Sequence, residues 1–192
     1  MSLQTSSSSS SQQLYTQLQK YIPHCDKQNQ IFLRFGRIIP SNYGTIMQLP
    51  VEPEKLRNVQ SYIQNNQSRY KKTVVSGYRI QHNGFVYIMN RHSGEMTKIH
   101  REHRHHCETS EVMMDYDTIE EDSGIVPCID EANMEEEYEQ TIYTSSESGL
   151  IDIDWIIEYF PGVRITSLYC VIRKPVQPQK LWKLLETFGL DA

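Results

Sequence analysis

Gln30-Ile31-Phe32-Leu33-Arg34-Phe35-Gly36-Arg37-Ile38 is the stretch from which the fold is read. Ile31, Leu33 and Phe35 alternate with Phe32, Arg34 and Gly36, a period of two that predicts a strand over Ile31 to Ile39 with one apolar and one mixed face. Pro40 to Gly44 ends the pattern. Upstream, Leu14, Leu18, Tyr21 and Ile22 share a helical stripe that Pro23 stops, and such a short amphipathic helix would cover the apolar face of a sheet. Downstream, Pro53 suits a first helical position, and Leu56, Val59 and Ile63 continue at helical spacing to Asn65 and Asn66.

Partners for the strand follow. Thr73 to Ile80 and Phe85 to Met89 flank Asn83-Gly84, which supplies the positive φ of a tight hairpin turn. Arg91 to Gly94 offers another turn before Met96 to His100, giving a three-stranded antiparallel meander. Ile151 to Phe160 and Val163 to Lys174 flank Pro161-Gly162 as a second hairpin. Pro178 opens a last helix carrying Leu181, Trp182, Leu184, Leu185 and Phe188, and Gly189 closes it.

The 192 residues, 38% hydrophobic with net charge −5, suit one domain. A mean hydropathy of −0.57 and the lack of a long apolar run argue against a membrane span. Met1 to Gln13 has no basic or apolar signal region, so an intracellular protein is expected, in nucleus or cytoplasm. Cys25, Cys107, Cys128 and Cys170 contain no C-x-x-C pair and read as reduced thiols. The serine run Ser6 to Ser11 places a flexible tail over residues 1–11. The expectation is therefore one α+β domain over residues 12–192: a twisted antiparallel sheet or open β-barrel with flanking helices and a long acidic loop at about 108–149.

That loop is expected from the charge map. Arg69 to Cys107 holds eight Lys or Arg, six of the seven histidines and two acids, whereas Glu108 to Phe160 holds seventeen acids and no Lys or Arg. Packed alone, the acidic stretch would repel itself. It reads as a solvated insertion, or as an arm that covers the basic strands and competes with an anionic ligand. Thr144-Ser145-Ser146-Glu147 within it suits acid-directed phosphorylation.

Three sets of residues carry candidate chemistry. Arg34, Arg79, Arg91, Lys98 and Arg101 form a basic β surface for an anionic partner such as RNA. His103, His105, His106 and Cys107 are dense enough to hold zinc, although no second ligand pair accompanies them and a basic, partly exposed strand end or loop explains them better; His103 and His106 would share a helix face, His103 and His105 a strand face. Asp152, Asp154 and Glu158 project from one strand face, where they would hold Mg or Mn or simply meet solvent. The sequence has no nucleophile elbow, P-loop or G-x-G-x-x-G turn.

Gln30 to Ile38 also resembles the opening strand of the metal-dependent RNA triphosphatases, the tunnel-fold enzymes of mRNA capping, whose pattern is Glu-x-Glu-x-Arg-x-Gly. Arg34 and Gly36 match it, and the two metal-binding glutamates fall on Gln30 and Phe32. The order of elements is similar too: a helix (Leu56 to Asn66), basic strands (Thr73 to His100) and a late acidic strand (Ile151 to Phe160). The resemblance implies a tunnel-like barrel and a degenerate, non-catalytic relative. The family is also similar in fold to non-catalytic subunits of the transcriptional Mediator. The expected function is thus a non-enzymatic binding or assembly module, with a protein partner and an RNA or other polyanion, in transcription or RNA processing. The alternatives are a divalent-metal RNA 5′-triphosphatase or nucleotide phosphohydrolase, with Asp152, Asp154 and Glu158 on metal and Arg34, Arg79 and Lys98 on phosphates, and a viral or structural assembly protein.

Overall fold

The computed structural model describes residues 5–42, 44–48, 51–82, 85–123, 134–145, 153–162 and 164–191. Eight strands close into an antiparallel ring. They are β1 (Asn29–Phe35), β4 (Tyr70–His82), β5 (Phe85–Asn90), β6 (Met96–Glu108), β7 (Val112–Ser123), β8 (Met134–Ser145), β9 (Asp154–Phe160) and β10 (Ile165–Ile172), while β2 (Arg37–Ser41) and β3 (Gly44–Gln48) form a separate hairpin. Around the ring the order is β1-β10-β9-β8-β4-β5-β6-β7, with β7 pairing back onto β1. Closure removes the free sheet edges that an open barrel would expose.

Three helices cover the outside of the ring. α1 (Thr5–Tyr21) buries Leu14 and Leu18, α2 (Pro53–Asn65) buries Val59 and Ile63, and α3 (Pro178–Phe188) buries Leu181, Leu185 and Phe188. These side chains form one core with Ile31, Leu33 and Phe35 of β1 and Trp155 of β9. The period-two reading of β1 thus sorts its faces: the odd-numbered residues go under the helices and the even-numbered ones point into the ring. Gly189, at φ 73°, ends α3 in the left-handed region, and Leu190 N–H donates to the Leu185 carbonyl at 2.8 Å. Among the described residues no helix is long and apolar enough to cross a membrane.

Two expectations change. The serine run is helical from Thr5, as the opening turns of α1, and Ser11 Oγ donates to the Asp191 carbonyl at 3.1 Å. The acidic stretch is not simply a long loop, because it supplies β7 and β8, two of the eight ring strands. Judged alone its charges repel, but the ring sets β7 against β6 and β8 against β4, so acids meet bases across the strands. Asp115 stands opposite His106, Asp117 opposite His103, and Glu137 pairs with Arg91. Residues 124–133 and 146–152 lie outside the described residues, as do the Asn83-Gly84 turn and Ser146-Glu147. Ser145 is buried at the end of β8, opposite Tyr70.

Candidate functional site in the lumen

Because opposed residues in an antiparallel pair share a face, the inner surface can be followed strand by strand. Phe32 stands opposite Val171 on one side and Asp115 on the other; Arg34 stands opposite Tyr169 and Met113; Gln30 stands opposite Asp117. An apolar layer crosses the lumen, built from Phe32, Ile119, Ile156, Tyr169 and Val171 with Ile99 and Ile142. Ile156, between Asp154 and Glu158, belongs to this layer.

Three guanidinium groups gather beside it. Arg101 Cζ lies 4.2 Å from the Phe32 ring centroid, and Arg34 Cζ lies 5.4 Å from that of Tyr169. Both are held on aromatic faces, which orients them without neutralising them. Among the described residues no carboxylate lies within ion-pair distance of Arg34. Burial lowers the Arg101 pKa, and the charges of Arg34 and Arg79 lower it further while Asp117 and Tyr169 oppose them. Arg34, Arg101 and Arg79 come from β1, β6 and β4, alternate strands along one side of the ring with β7 and β5 between them, and their charges act on one another within the lumen. Arg91 and Lys98 do not join them. Arg91 pairs with Glu137 and lies over Tyr78, while Lys98 Nζ sits 3.9 Å from the Phe85 centroid at the rim.

The histidine cluster is divided by a β-bulge. The β6–β7 register shifts between His103 and His105, so His103 and His106 both face the lumen although the segment is a strand. His103 Nδ1 lies 2.8 Å from Asp117 Oδ1, and His106 Nδ1 lies 2.6 Å from Asp115 Oδ1. Burial disfavours the charged His106 ring, but its hydrogen bonds to Asp115 and Glu108 outweigh this and raise its pKa. His105 and Cys107 face outward. His105 stacks on Tyr21 with centroids 4.9 Å apart, and Cys107 Sγ lies 3.6 Å from Met114 Sδ, where burial lifts the thiol to about 11. The four residues expected as one zinc set therefore do not converge.

Of the expected carboxylates, Asp154 is buried and paired with Arg173. Glu158 acts on Tyr169, whose hydroxyl pKa burial raises and Glu158 raises further. Asp152 lies outside the described residues. With Gln30 and Phe32 neutral and Asp154 engaged by Arg173, the described residues at these positions do not fit the metal that the triphosphatase pattern implies. The carboxylates that sequence reading missed are Asp115 and Asp117, on the strand beside β1 and in register with Phe32 and Gln30. Their signal is the alternation of Val112, Met114 and Tyr116 with Met113, Asp115 and Asp117. At one end of the ring, Gln30, Ile119, Glu121 and Arg173 line a cavity of about 970 Å3 whose rim carries Lys98 and His100.

No protein-family model matches the sequence, and no curated protein matches it. Solved structures do match in fold. An RNA triphosphatase of S. pombe superposes with a TM-score of 0.52 at 9% identity, covering 94% of this chain and 86% of the other. The mimivirus capping-enzyme triphosphatase superposes at 0.54 with 12% identity, covering 94% and 96%. A second structure of the mimivirus triphosphatase domain gives 0.55 at 10%, covering 93% and 96%. The chain thus has the ring-like tunnel fold of these RNA triphosphatases, as its first strand led us to expect, and identities this low speak to the fold alone.

Proposed function

We propose that this chain is a non-hydrolysing binding module whose lumen accepts the phosphate groups of an RNA 5′ end or a nucleotide. The observation that carries the reading is the convergence of Arg34, Arg79 and Arg101 from three separate strands, with Arg34 and Arg101 held on aromatic faces. Guanidinium forks suit phosphate oxygens, and a lumen narrowed by apolar side chains strengthens each contact. The basic surface expected from sequence becomes an inward-facing one in this reading. Neutral Gln30 and Phe32, and an Asp154 engaged by Arg173, favour binding over turnover. The module would act inside the cell, with a protein partner, in transcription or RNA processing; the capping triphosphatases that share its fold support that setting.

Fluorescence anisotropy with one short RNA bearing either a 5′-triphosphate or a 5′-hydroxyl tests the proposal. The triphosphate form should bind more tightly, and Arg34→Ala should remove much of the difference, since charge-assisted hydrogen bonds contribute ~1.5–3 kcal/mol each, roughly tenfold or more in affinity. Equal affinity for the two ends would refute lumenal phosphate binding. A second reading, a divalent-metal phosphohydrolase, is favoured by one observation: Asp115, Asp117 and His103 lie close enough together to hold an ion in the same lumen.

A further inference from the structure

We infer that His103, Asp115 and Asp117 form a binding site for a divalent transition metal, of the Mn2+ or Zn2+ kind, at a place where the triphosphatase pattern has no ligands. Asp115 and Asp117 sit two residues apart on β7 and both face the lumen, and the regular β6–β7 register ahead of the bulge sets His103 opposite Asp117. One ligand atom from each of the three lies within 4.8 Å of the others. Neighbouring ligands on a tetrahedral ion bound at about 2.1 Å stand about 3.4 Å apart, so closing the site takes side-chain shifts of up to about 1 Å. His103 can make that adjustment, because its side chain is 65% exposed.

An independent observation points to a missing cation. The Asp117 side chain is 0% exposed, and its Oδ2 accepts no hydrogen bond among the described residues; the nearest cation is Arg101 Nε at 3.6 Å. A buried carboxylate oxygen without a donor is costly, and a directly bound cation would satisfy it. The second carboxylate is already oriented. His106 Nδ1 contacts Asp115 Oδ1 at 2.6 Å and His106 Nε2 contacts Glu108 Oε2 at 3.1 Å, an outer layer of the sort that aligns metal ligands. One imidazole nitrogen with two carboxylates selects Mn2+, Fe2+ or Zn2+ over Mg2+, which prefers oxygen ligands alone. Three protein ligands leave coordination positions open to water or to an oxygen of a bound anion.

The inference does not require the phosphate reading, and it is tested with metal alone. In an electron paramagnetic resonance titration of the full chain without nucleotide, one equivalent of Mn2+ should lose its free-ion signal. Zn2+ should displace it, and a large excess of Mg2+ should not. His103→Ala, at an exposed position that folding tolerates, and Asp117→Asn should each weaken binding by at least about tenfold, with unchanged circular dichroism certifying the fold. Arg101→Ala should tighten Mn2+ by removing a neighbouring positive charge, whereas it should weaken binding of triphosphate-ended RNA, so the two sites of action separate by sign. Absence of Mn2+ and Zn2+ binding, displacement by Mg2+ as readily as by Zn2+, or binding that survives both ligand substitutions would overturn the site.

Discussion

Replacing Trp155 with alanine is expected to lower the free energy of unfolding by ~3–5 kcal/mol, the range for removing a large aromatic side chain from a core. Trp155 is 0% exposed on the outer face of β9. Its ring lies 5.7 Å from Phe188 of α3 and 6.3 Å from Phe35 of β1, so one side chain ties two ring strands to the last helix. The indole nitrogen makes no hydrogen bond of good geometry among the described residues, its polar neighbour being the Tyr70 hydroxyl. The loss is therefore one of packing, and Trp155→Phe should recover a good part of it. Chemical denaturation monitored by circular dichroism gives the value. A loss below about 1 kcal/mol would mean that the face is not a packed core.

A methyl group at Gly77 is expected to be nearly as damaging. The Cβ of an alanine there would stand 1.9 Å from the Met89 carbonyl oxygen and 3.0 Å from its carbon. The obstacle is backbone, so no side-chain rotation relieves it; β4 and β5 must separate where Gly77 pairs with Asn90, and the Arg91 N–H to Ser76 carbonyl bond beside it must stretch. Overpacking of this kind costs ~1–3 kcal/mol and occasionally more. Arg79 lies two residues along the same strand, so Gly77→Ala should also weaken triphosphate-RNA binding before it unfolds the chain. Wild-type stability together with wild-type affinity would show that the approach of β4 to β5 is looser than described.

Much of this architecture is legible without coordinates where the signals are local. The alternation of Ile31, Leu33 and Phe35, the helical stripe ending at Pro23, and the Pro178 and Gly189 limits of α3 all depend on residues within a few positions of one another. The basic side chains are local signals too: Arg34 lies on the mixed face of the first strand, and Arg101 lies in the basic block from Arg69 to Cys107. Three features depended on distant partners. The strands β7 and β8 were hidden in an acidic run whose charges are tolerable only opposite the bases of β6 and β4. The bulge between His103 and His105 changes which histidines share a face, and no residue in that run announces it. Asp115 and Asp117 are hard to read from sequence for both reasons, whereas Asp154, legible on its strand, is engaged by Arg173. The hairpin β2–β3 departs from expectation for a local reason: Pro40 pairs with Thr45 instead of ending the strand, as a proline can in an edge position.

The claim that the lumen binds phosphate without cleaving it is tested most directly by measuring phosphate release from 5′-triphosphate RNA under conditions in which anisotropy shows the RNA to be bound. Reactions would contain Mn2+ or Mg2+, with the Asp115→Asn/Asp117→Asn double variant as the control, because a contaminating phosphatase is indifferent to those substitutions. The expected result is RNA bound through Arg34 and no phosphate released above the double variant. Turnover by the wild type that disappears in the double variant would contradict it, and would make Asp115 and Asp117 the metal-binding carboxylates of an active phosphohydrolase.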